Sequence, residues 1–493
     1  MSDLNKGWNF FILFQLYKND NEILYDLILK EINALHKDTD IHFYVLKHIV
    51  KENKIEFYRT EIKQNNLSLT LVGQPVVVND FYLHPFTDAK KAWGIFFNMC
   101  SDKQRKNFIV LYGHGAGLGF TPKEISGELD RSRLKDLFTN GIFDLEALMN
   151  DDGATRNHFE DKISAFTGLP FVARKLPIIP VSIFTSIISE TLLSTQNKRV
   201  DFLCFANCFM QCIENGYILK DTINYLISTE GTYINPGINF PELYKVLDKK
   251  EDNESIARNI TDSIDERFNA PEIIAYFEKN KRSIARTDPH LAIKSYFSIS
   301  VNNLQCYEEL KQKLSALALL ILDKKNIEAH LDNIIAIRQN EELCRDVFSN
   351  NPIGIIDLSN FLYQVVNMGI VIESKTELNR EIKTKCYELI NFILHHVVVS
   401  NHFPAFAYRK RKGYPFGICP FGISVFFPGK KSKHTYDEIV IQFYDDFFAS
   451  GIYLSGFLKN NKWKDFVSTI YNAPKRGFIN LLFRSFKKRF EST

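Results

Sequence analysis

Residues Asn107–Gly117 read NFIVLYGHGAG, and residues Val200–Met210 read VDFLCFANCFM. Each contains a short run of five consecutive apolar residues, FIVLY and FLCFA, which is typical of a strand that is buried on both faces of a sheet. The first run ends in glycines around His114, and the second ends just before Cys208. Because the loops that contact ligands follow the carboxyl ends of parallel strands, these two loops are predicted to meet at one edge of a sheet.

Outward from these segments, short apolar runs alternate with helical patterns, and this alternation indicates an α/β fold. Further strands are predicted at Trp8–Leu16, Ile41–Leu46, Ser295–Val301 and Gly422–Pro428. Helices are predicted at Asn21–Leu35, Ala89–Cys100, Val181–Leu193, Met210–Ile227, Leu304–Asp323, Ile327–Ser349, Asp357–Val366, Leu378–Val399, Tyr436–Ala449 and Trp463–Tyr471, and the charged residues 250–290 are also expected to be helical. We therefore expect a mostly parallel central sheet flanked by helices, with further helices in the C-terminal half.

The composition excludes several classes of protein. The chain has 493 residues, 61 of them basic and 58 acidic, so its net charge of +3 gives no field of one sign and argues against a dedicated nucleic-acid binder or a polybasic membrane protein. Aromatic residues make up 13%, too many for a disordered chain. With 23 glycines and 16 prolines, collagen-like and low-complexity sequences are excluded as well.

The cysteines and the apolar stretches indicate in which cellular compartment the protein is expected. Eight cysteines are too sparse for a disulfide scaffold, and none shows the spacing of a zinc site. The first twenty residues lack the pattern of a signal peptide, and the densest apolar run, Leu314–Leu322, is about half the length of a membrane span. We expect a cytoplasmic protein with reduced thiols and with neither nucleic acid nor membrane as a partner.

The glycine loop around His114 allows more than one interpretation. Its glycines would let a substrate backbone approach closely, but glycines also form phosphate-binding loops. A dinucleotide fingerprint would need a further glycine where the sequence has Leu118 or Phe120, and no Gly-Lys-Ser/Thr follows. A nucleotide loop is therefore disfavoured, while a histidine that only caps a turn remains an alternative.

Cys208 is predicted to lie where a strand passes into a helix. The partial positive charge at a helix N-terminus favours the thiolate, which is the nucleophilic form of cysteine. A cysteine in this setting taken alone is more often a small core residue. Together with His114, however, it gives the nucleophile and base of covalent acyl transfer, and the backbone N–H groups of Gly115 and Cys208 could form an oxyanion hole.

These motifs resemble the clostripain family of cysteine peptidases, which belongs to the same clan as caspases and gingipains. NFIVLYGHGAG matches the histidine block of that family, and Cys208, Met210, Glu214 and Tyr217 match its cysteine block. Weaker matches follow in order at Trp8–Asn21, Ser298–Leu304, Ile355–Leu362, Gly422–Pro428 and Trp463–Phe466. The resemblance implies a caspase-like α/β sheet and a peptide hydrolase in which His114 is the general base and Cys208 the nucleophile.

One departure from the family concerns specificity. Members usually carry an aspartate two residues before the nucleophile, where it lies in the S1 pocket and selects arginine or lysine. This chain has Ala206 at that position. A buried cationic P1 side chain would lack its charge partner there, so the P1 preference is predicted not to be simply Arg/Lys. A small or apolar P1 residue is the first expectation, and an acidic residue that reaches the pocket from a loop is the alternative.

The resemblance also implies partners and regulation. The substrate would be a protein or peptide, and some cytoplasmic clan relatives activate a companion effector such as a gasdermin-like pore former, so a role in antiviral defence is one implication. No cofactor is expected, although some members respond to calcium. Members often cleave themselves between the histidine and the cysteine, and the polar segment 121–180 is long enough to contain such a site. The rival hypothesis is a binding or scaffold protein that keeps the fold without turnover.

Three regions are predicted along the chain. Residues 1–250 would form the catalytic core, with an insertion at about 121–180; residues 251–400 would form a mainly helical region packed on it, and residues 401–493 would complete the fold. Cys204 and Cys212 are expected to face the core, and Glu214 to brace the site. Asp201 is expected at a strand edge. The pair His395-His396 lacks a third ligand in the sequence, so no metal site is predicted there.

Overall fold

The structure is a computed structural model and describes residues 7–16, 20–35, 39–49, 54–63, 66–77, 89–100, 102, 104–115, 119–121, 179–193, 199–231, 233–279, 298–339, 355–371, 377–402, 421–427, 457 and 461–472. Its architecture is α/β, with helices packed on both faces of one large sheet, and this confirms the predicted fold class. No helix within these ranges is both long enough and apolar enough to span a bilayer.

The described strands belong to one large sheet and two small ones. In chain order they are β1 (Trp8–Leu16), β2 (Ile41–Ile49), β3 (Lys54–Lys63), β4 (Asn66–Leu71), β5 (Val76–Val77), β6 (Lys106–Tyr112), β7 (His114–Gly115), β8 (Gly119–Thr121), β9 (Ile179–Pro180), β10 (Val200–Ala206), β11 (Ile223–Ser228), β12 (Ile299–Asn303), β13 (Ile355–Asp357), β14 (Val398–His402) and β15 (Ser424–Phe426).

The described helices follow the strands or form the C-terminal half. They are α1 (Asp20–Asn33), α2 (Lys90–Asn98), α3 (Val181–Thr191), α4 (Ile213–Leu219), α5 (Phe240–Asp248), α6 (Asn253–Asp262), α7 (Ile264–Asn269), α8 (Pro271–Lys279), α9 (Tyr307–Leu322), α10 (Lys324–Gln339), α11 (Leu358–Val366), α12 (Met368–Val371), α13 (Arg380–Phe392) and α14 (Lys462–Asn472). A 3₁₀ turn, Leu304–Cys306, precedes α9, and a π turn, Ile393–Val397, follows α13.

The large sheet has the strand order β14-β12-β11-β10-β6-β1-β2-β3-β4, and β5 pairs with β3. The central strands β11, β10, β6, β1 and β2 run parallel, while the outer strands pair antiparallel. In the register of the central strands, Phe14 pairs with Tyr112 and Tyr112 pairs with Ala206. The carboxyl ends of β6 and β10 therefore lie side by side, and the loops that follow them leave the sheet together.

Side chains of the central strands are buried on both faces. On one face, Phe10, Phe108 and Phe202 form a ladder of stacked rings, with centroids 4.8 Å and 5.4 Å apart. The alternate residues point to the other face, where Trp93 of α2 and Phe184 of α3 pack edge to face at 5.1 Å. Helices thus cover both faces, and this explains why these strands consist of continuous apolar runs.

The structure corrects several sequence boundaries. The single helix predicted over Met210–Ile227 is wrong, because only Ile213–Leu219 is helical and Ile223–Ser228 is strand β11. Residues Ile223–Ser228 form a strand because they pair with β10 in the sheet. Their apolar spacing by itself suits a helix or a strand equally well. The helix predicted over Leu378–Val399 ends at Phe392 and gives way to the π turn and then to β14.

Other predictions fall short or lie outside the described residues. The strands β3 and β4 went unpredicted, although they extend the sheet at one edge. Nearly all of the segment 121–180, as well as the helix predicted at Tyr436–Ala449, lies outside the described residues. Beyond residue 250, the strands β12 and β14 add to the same large sheet as the N-terminal strands.

Candidate active site

The loops after β6 and β10 carry the predicted catalytic residues. His114 and Gly115 form the short strand β7, which pairs with β8, and β8 in turn pairs with β9. This small sheet holds the His114 loop at the carboxyl edge of the large sheet. Cys208 follows the end of β10 at the same edge, and its side chain is partly exposed.

The two loops are in direct contact. A Cβ atom added at Gly115 would collide with the carbonyl oxygen of Cys208. It would also lie 2.9 Å from Cγ of Met210, closer than real Cβ atoms approach, and 3.0 Å from Cβ of Asn207, which is tighter than most real contacts. Only glycine allows the backbones to come this close. The structure therefore brings together three residues that the sequence singles out, namely His114, Gly115 and Cys208.

A backbone donor faces the sulfur of Cys208. The N–H of Tyr233, in the loop after β11, donates a hydrogen bond to Sγ over 3.3 Å. A donor to a sulfur favours its charged form, because it stabilises the thiolate more than the thiol. The Tyr233 N–H thus favours the thiolate form of Cys208, and the sequence does not reveal this contact.

The expected position of Cys208 at a helix N-terminus is wrong. Helix α4 begins at Ile213, and Cys212 is its N-terminal flanking residue. Residues 207–211 form an irregular loop instead of the first helical turn. The charge at a helix terminus falls off within one turn, so it acts weakly on Cys208. The N–H of Tyr233 takes the role that the sequence assigns to the helix.

The loop that carries Cys208 is held by hydrogen bonds to the loop that follows β11. Phe209 donates its N–H to the carbonyl oxygen of Gly231 over 2.8 Å, and Gln211 donates to that of Thr229 over 3.0 Å. Phe209 has a φ of 63°, which is uncommon for a residue other than glycine. Such a conformation persists only where surrounding contacts fix it, and it is often found at active sites.

The other described thiols are less suited to nucleophilic attack. Burial raises the pKa of Cys386 to about 12, and it raises the pKa values of Cys204 and Cys212 further. Cys306 is partly exposed, but burial raises its pKa too, and its thiol donates to the carbonyl oxygen of His396 over 3.3 Å. Because the thiolate is the reactive form, Cys208 is the best candidate nucleophile in the described part of the chain.

Ala206, the residue predicted in the S1 pocket, ends strand β10 and is 2% exposed. It belongs to the same apolar cluster as Tyr112 and Tyr233. The buried hydroxyl of Tyr233 is hydrogen-bonded to the thiol of Cys204, which also lies on β10. The surroundings of Ala206 are therefore aromatic and apolar, while its role in substrate binding remains a prediction.

Two acidic residues singled out in the sequence have structural contacts. Oε1 of Glu214 is buried and accepts the N–H of Phe426 over 3.0 Å, so this side chain joins α4 to β15. Asp201 lies at the opposite end of β10, where its Oδ2 accepts the N–H of Asn107 over 3.0 Å. The structure therefore separates Asp201 from the candidate site. No cluster of three potential metal ligands occurs among the described residues.

The structure adds two buried carboxyl groups near the site that sequence reasoning missed. Glu230 lies two residues beyond the end of strand β11, and its carboxyl group hydrogen-bonds to that of Asp357. Glu230 is 3% exposed and Asp357 is 4% exposed. A signal for Glu230 existed, because a polar residue after a central strand lies at the ligand-binding edge. The prediction of a helix over Met210–Ile227 concealed that strand.

The chain is similar to one family of known proteins. The model of the clostripain family matches residues 182–469, which is more than half of the chain. A search of curated proteins gave no match. A solved structure of a secreted C11 cysteine protease from Bacteroides thetaiotaomicron, named iotapain, aligns with a TM-score of 0.53 and 11% identity, over 91% of this chain and 98% of that chain.

A second similar structure is an inactive zymogen of a C11 protease from Parabacteroides distasonis. It aligns with a TM-score of 0.50 and 12% identity, over 90% of this chain and 98% of that chain. At such low identities the likeness concerns the fold alone.

Proposed function

Because the chain belongs to the clostripain family and has the fold of a cysteine peptidase, we propose that it is a cysteine endopeptidase with Cys208 as the nucleophile and His114 as the general base. The observation that carries the proposal is the contact between the two loops, in which Gly115 touches the backbone of Cys208. The partly exposed thiol and the Tyr233 N–H that faces it support the same assignment.

The proposed reaction proceeds through an acyl-enzyme. His114 takes the proton of the Cys208 thiol, and the sulfur attacks the scissile carbonyl carbon to form a C–S bond. The backbone N–H groups of Gly115 and Cys208 hold the oxyanion. The C–N bond then breaks, and the leaving amine takes the proton from His114. Water, deprotonated by His114, attacks the thioester and releases the acid, and the proton returns to the sulfur.

The proposed specificity follows from Ala206. A P1 arginine or lysine would place its charge near a methyl group and the aromatic rings of Tyr112 and Tyr233. An unpaired buried charge is strongly unfavourable, so a small or apolar P1 residue is the better fit. Cleavage of a peptide library with all P1 residues, read by mass spectrometry, tests this. Exclusive cleavage after Arg or Lys would show the specificity proposal to be wrong.

A cytoplasmic location and a specific intracellular substrate are also part of the proposal. The six described cysteines are all free, and free thiols fit a reducing compartment. A companion effector, such as a gasdermin-like pore former, is one candidate substrate. Since one similar structure is described as secreted, fractionation of cells that express the protein is the direct measurement. Recovery outside the cytoplasm would contradict this part.

Replacement of the nucleophile tests the whole mechanism. Cys208→Ala is expected to lower kcat/KM on a cleaved library peptide by at least about 10³-fold, with the fold unchanged by circular dichroism. Cys306→Ala is the matched control, because it removes the other partly exposed thiol among the described residues, and it should keep parental activity.

Two outcomes would contradict the proposal. If Cys208→Ala cleaved peptides as fast as the parent, the assigned nucleophile would be wrong. If the folded parent cleaved neither library peptides nor denatured proteins, a scaffold that retains the peptidase fold would be favoured.

A further inference from the structure

Glu230 and Asp357 form a pair of buried carboxyl groups behind the loop that carries Cys208. They come from different parts of the chain, one after strand β11 and the other at the end of β13, and their carboxyl groups are hydrogen-bonded to each other. Because a carboxylate has no proton to donate, at least one member of such a pair must be protonated. The pair is therefore a specific bond with a donor and an acceptor.

The other contacts of Asp357 make it the acceptor. Its Oδ1 accepts the N–H of Asn360 over 2.6 Å, and its Oδ2 accepts the N–H of Phe421. Asp357 also caps helix α11, whose N-terminus favours negative charge. Because Asp357 accepts these N–H groups, it is the acceptor of the pair, and Glu230 donates its O–H to it.

The backbone around Glu230 contacts residues 207–211, the loop that carries Cys208 (the nucleophile loop), at three points. The carbonyl oxygen of Thr229 accepts from Gln211, that of Gly231 accepts from Phe209, and the N–H of Tyr233 reaches the sulfur of Cys208. Glu230 is thus flanked by the two residues that hold the loop and lies three residues before the donor to the nucleophile. A side chain fixed at this position limits movement of all three contacts.

Asp357 is also connected to the other side of the loop that carries Cys208. Asp357 pairs with Ser424 across β13 and β15, and both the N–H and the hydroxyl of Ser424 donate to the carbonyl oxygen of Gln211, over 2.9 Å and 2.7 Å. The Phe426 N–H, also on β15, is bound by Glu214. The nucleophile loop is therefore held on one side by the loop of Glu230 and on the other by β15, and the Glu230–Asp357 bond joins the two supports.

We propose that Glu230 is a positioning residue for the nucleophile: by donating to Asp357 it holds the Tyr233 N–H on the sulfur of Cys208 and so increases the thiolate fraction. Glu230 acts through the backbone and does not touch the substrate. This inference rests on the proposed function, since it takes Cys208 as the nucleophile. It also assigns a role in catalysis to the C-terminal strands β13 and β15.

The test compares Glu230→Ala with Glu230→Gln, whose amide N–H can still donate to Asp357. The readout is the rate at which iodoacetamide alkylates Cys208 as a function of pH, followed by peptide mass spectrometry, and it requires no substrate. Glu230→Ala is expected to move the midpoint of this profile upward by about one pH unit. It should also lower kcat about tenfold or more with little change in KM.

Glu230→Gln should restore the parental midpoint and most of kcat, which a simple loss of stability would not explain. The surface variant Glu254→Ala, on α6, is the control for removal of a glutamate and should behave as the parent. If Glu230→Ala does not fold, Glu230→Met provides the comparison, because methionine keeps the volume of the side chain without a donor.

Two results would overturn the inference: a folded Ala or Met variant with the parental alkylation profile, or a Gln variant as impaired as the variant without a donor. Either result would leave the endopeptidase proposal intact, because that proposal depends on the loss of activity in Cys208→Ala. Conversely, full activity of Cys208→Ala would reject the proposed function whatever the alkylation profiles show.

Discussion

The two ends of the central strands differ in how their polar groups are used. At the amino end, Asp201 accepts the N–H of Asn107, whose side-chain carbonyl accepts from Asn9 over 3.1 Å. Asp40 at the same end forms ion pairs with Arg105 and Lys250. The polar groups of this edge bind one another, and their contacts join neighbouring strands.

At the carboxyl end the same strands lead into strained and close-packed loops. Phe209 has a positive φ, and Gly115 touches the backbone of Cys208. The amide group of Asn207 is fully buried, without a hydrogen-bond partner among the described residues. Strain and unpaired polar groups cost stability and accumulate where function requires a particular geometry. The comparison thus separates an end whose polar contacts stabilise the fold from an end that carries the proposed catalytic residues.

Among changes outside the proposed catalytic pair, the largest expected effect follows from a methyl group added at the carboxyl end. Gly115→Ala would force its Cβ into the carbonyl oxygen of Cys208 and displace one loop from the other. Since a displacement of about 1 Å can cost about 100-fold in rate, kcat/KM should fall by at least that factor.

Gly94→Ala is the matched control for this change. Gly94 lies in helix α2 with no atom near the position of an added Cβ. Alanine there should keep parental activity and raise the free energy of unfolding by about 0.5–1 kcal/mol. Parental activity in Gly115→Ala would contradict the close contact of the two loops.

A change at the amino end should affect stability and leave activity unaffected. Asp201→Ala leaves the buried N–H of Asn107 without its acceptor, so the free energy of unfolding should fall by about 1–3 kcal/mol. Denaturant titration measures this loss, and kcat/KM should remain parental. The exposed Asp221→Ala, as control, should change stability by less than about 0.5 kcal/mol. A selective loss of activity in Asp201→Ala would remove the distinction between the two ends.

Ala206→Asp would sharpen the comparison at the carboxyl end. A carboxylate at position 206, next to Tyr112 on the neighbouring strand, would provide the charge partner that a P1 arginine or lysine lacks in the parent. The ratio of cleavage after Arg/Lys to cleavage after apolar residues should rise by about tenfold, which corresponds to about 1.4 kcal/mol. Ala206→Ser, small and uncharged, should not produce the shift. An unchanged ratio in Ala206→Asp would show that position 206 does not contact P1.

A further expected effect concerns the pH dependence of stability. Burial raises the pKa of Asp357 to about 7, compared with about 3.9 for an unfolded chain. The folded protein therefore binds this proton more tightly, and the stabilisation is complete below about pH 4 and is lost as the pH rises to about 7. The contacts of Asp357 that bear on its charge are the carboxyl group of Glu230 and the N–H groups of Ser359, Asn360 and Phe421.

Denaturant titration between about pH 5 and 8 should therefore show the free energy of unfolding falling by up to about 1.4 kcal/mol per pH unit. Asp357→Asn cannot ionise and should show a smaller slope, whatever its absolute stability. Equal slopes for the parent and this variant would mean that another group titrates.

The sequence predicted the parts of the site that follow apolar runs. His114 and Cys208 each lie two residues beyond a strand whose last five residues are all apolar, and such strands are typical of the centre of a covered sheet. Glu230 also lies beyond a central strand, but INYLI (Ile223–Ile227) continues the apolar spacing of the preceding residues, so the sequence predicts a helix there. The error is physical, because a short apolar run suits a buried helix or a buried strand equally well.

The sequence by itself determined the α/β fold, the two buried strands and the identities of the histidine and cysteine at their ends, because burial on both faces demands continuous apolar residues and glycine permits close approach. Only the tertiary structure decided that the N–H of Tyr233 faces the sulfur, that helix α4 begins beyond Cys208, and that Glu230 meets Asp357. These contacts join segments far apart in the chain. They depend on strand order and loop paths, which the local pattern of apolar residues does not specify.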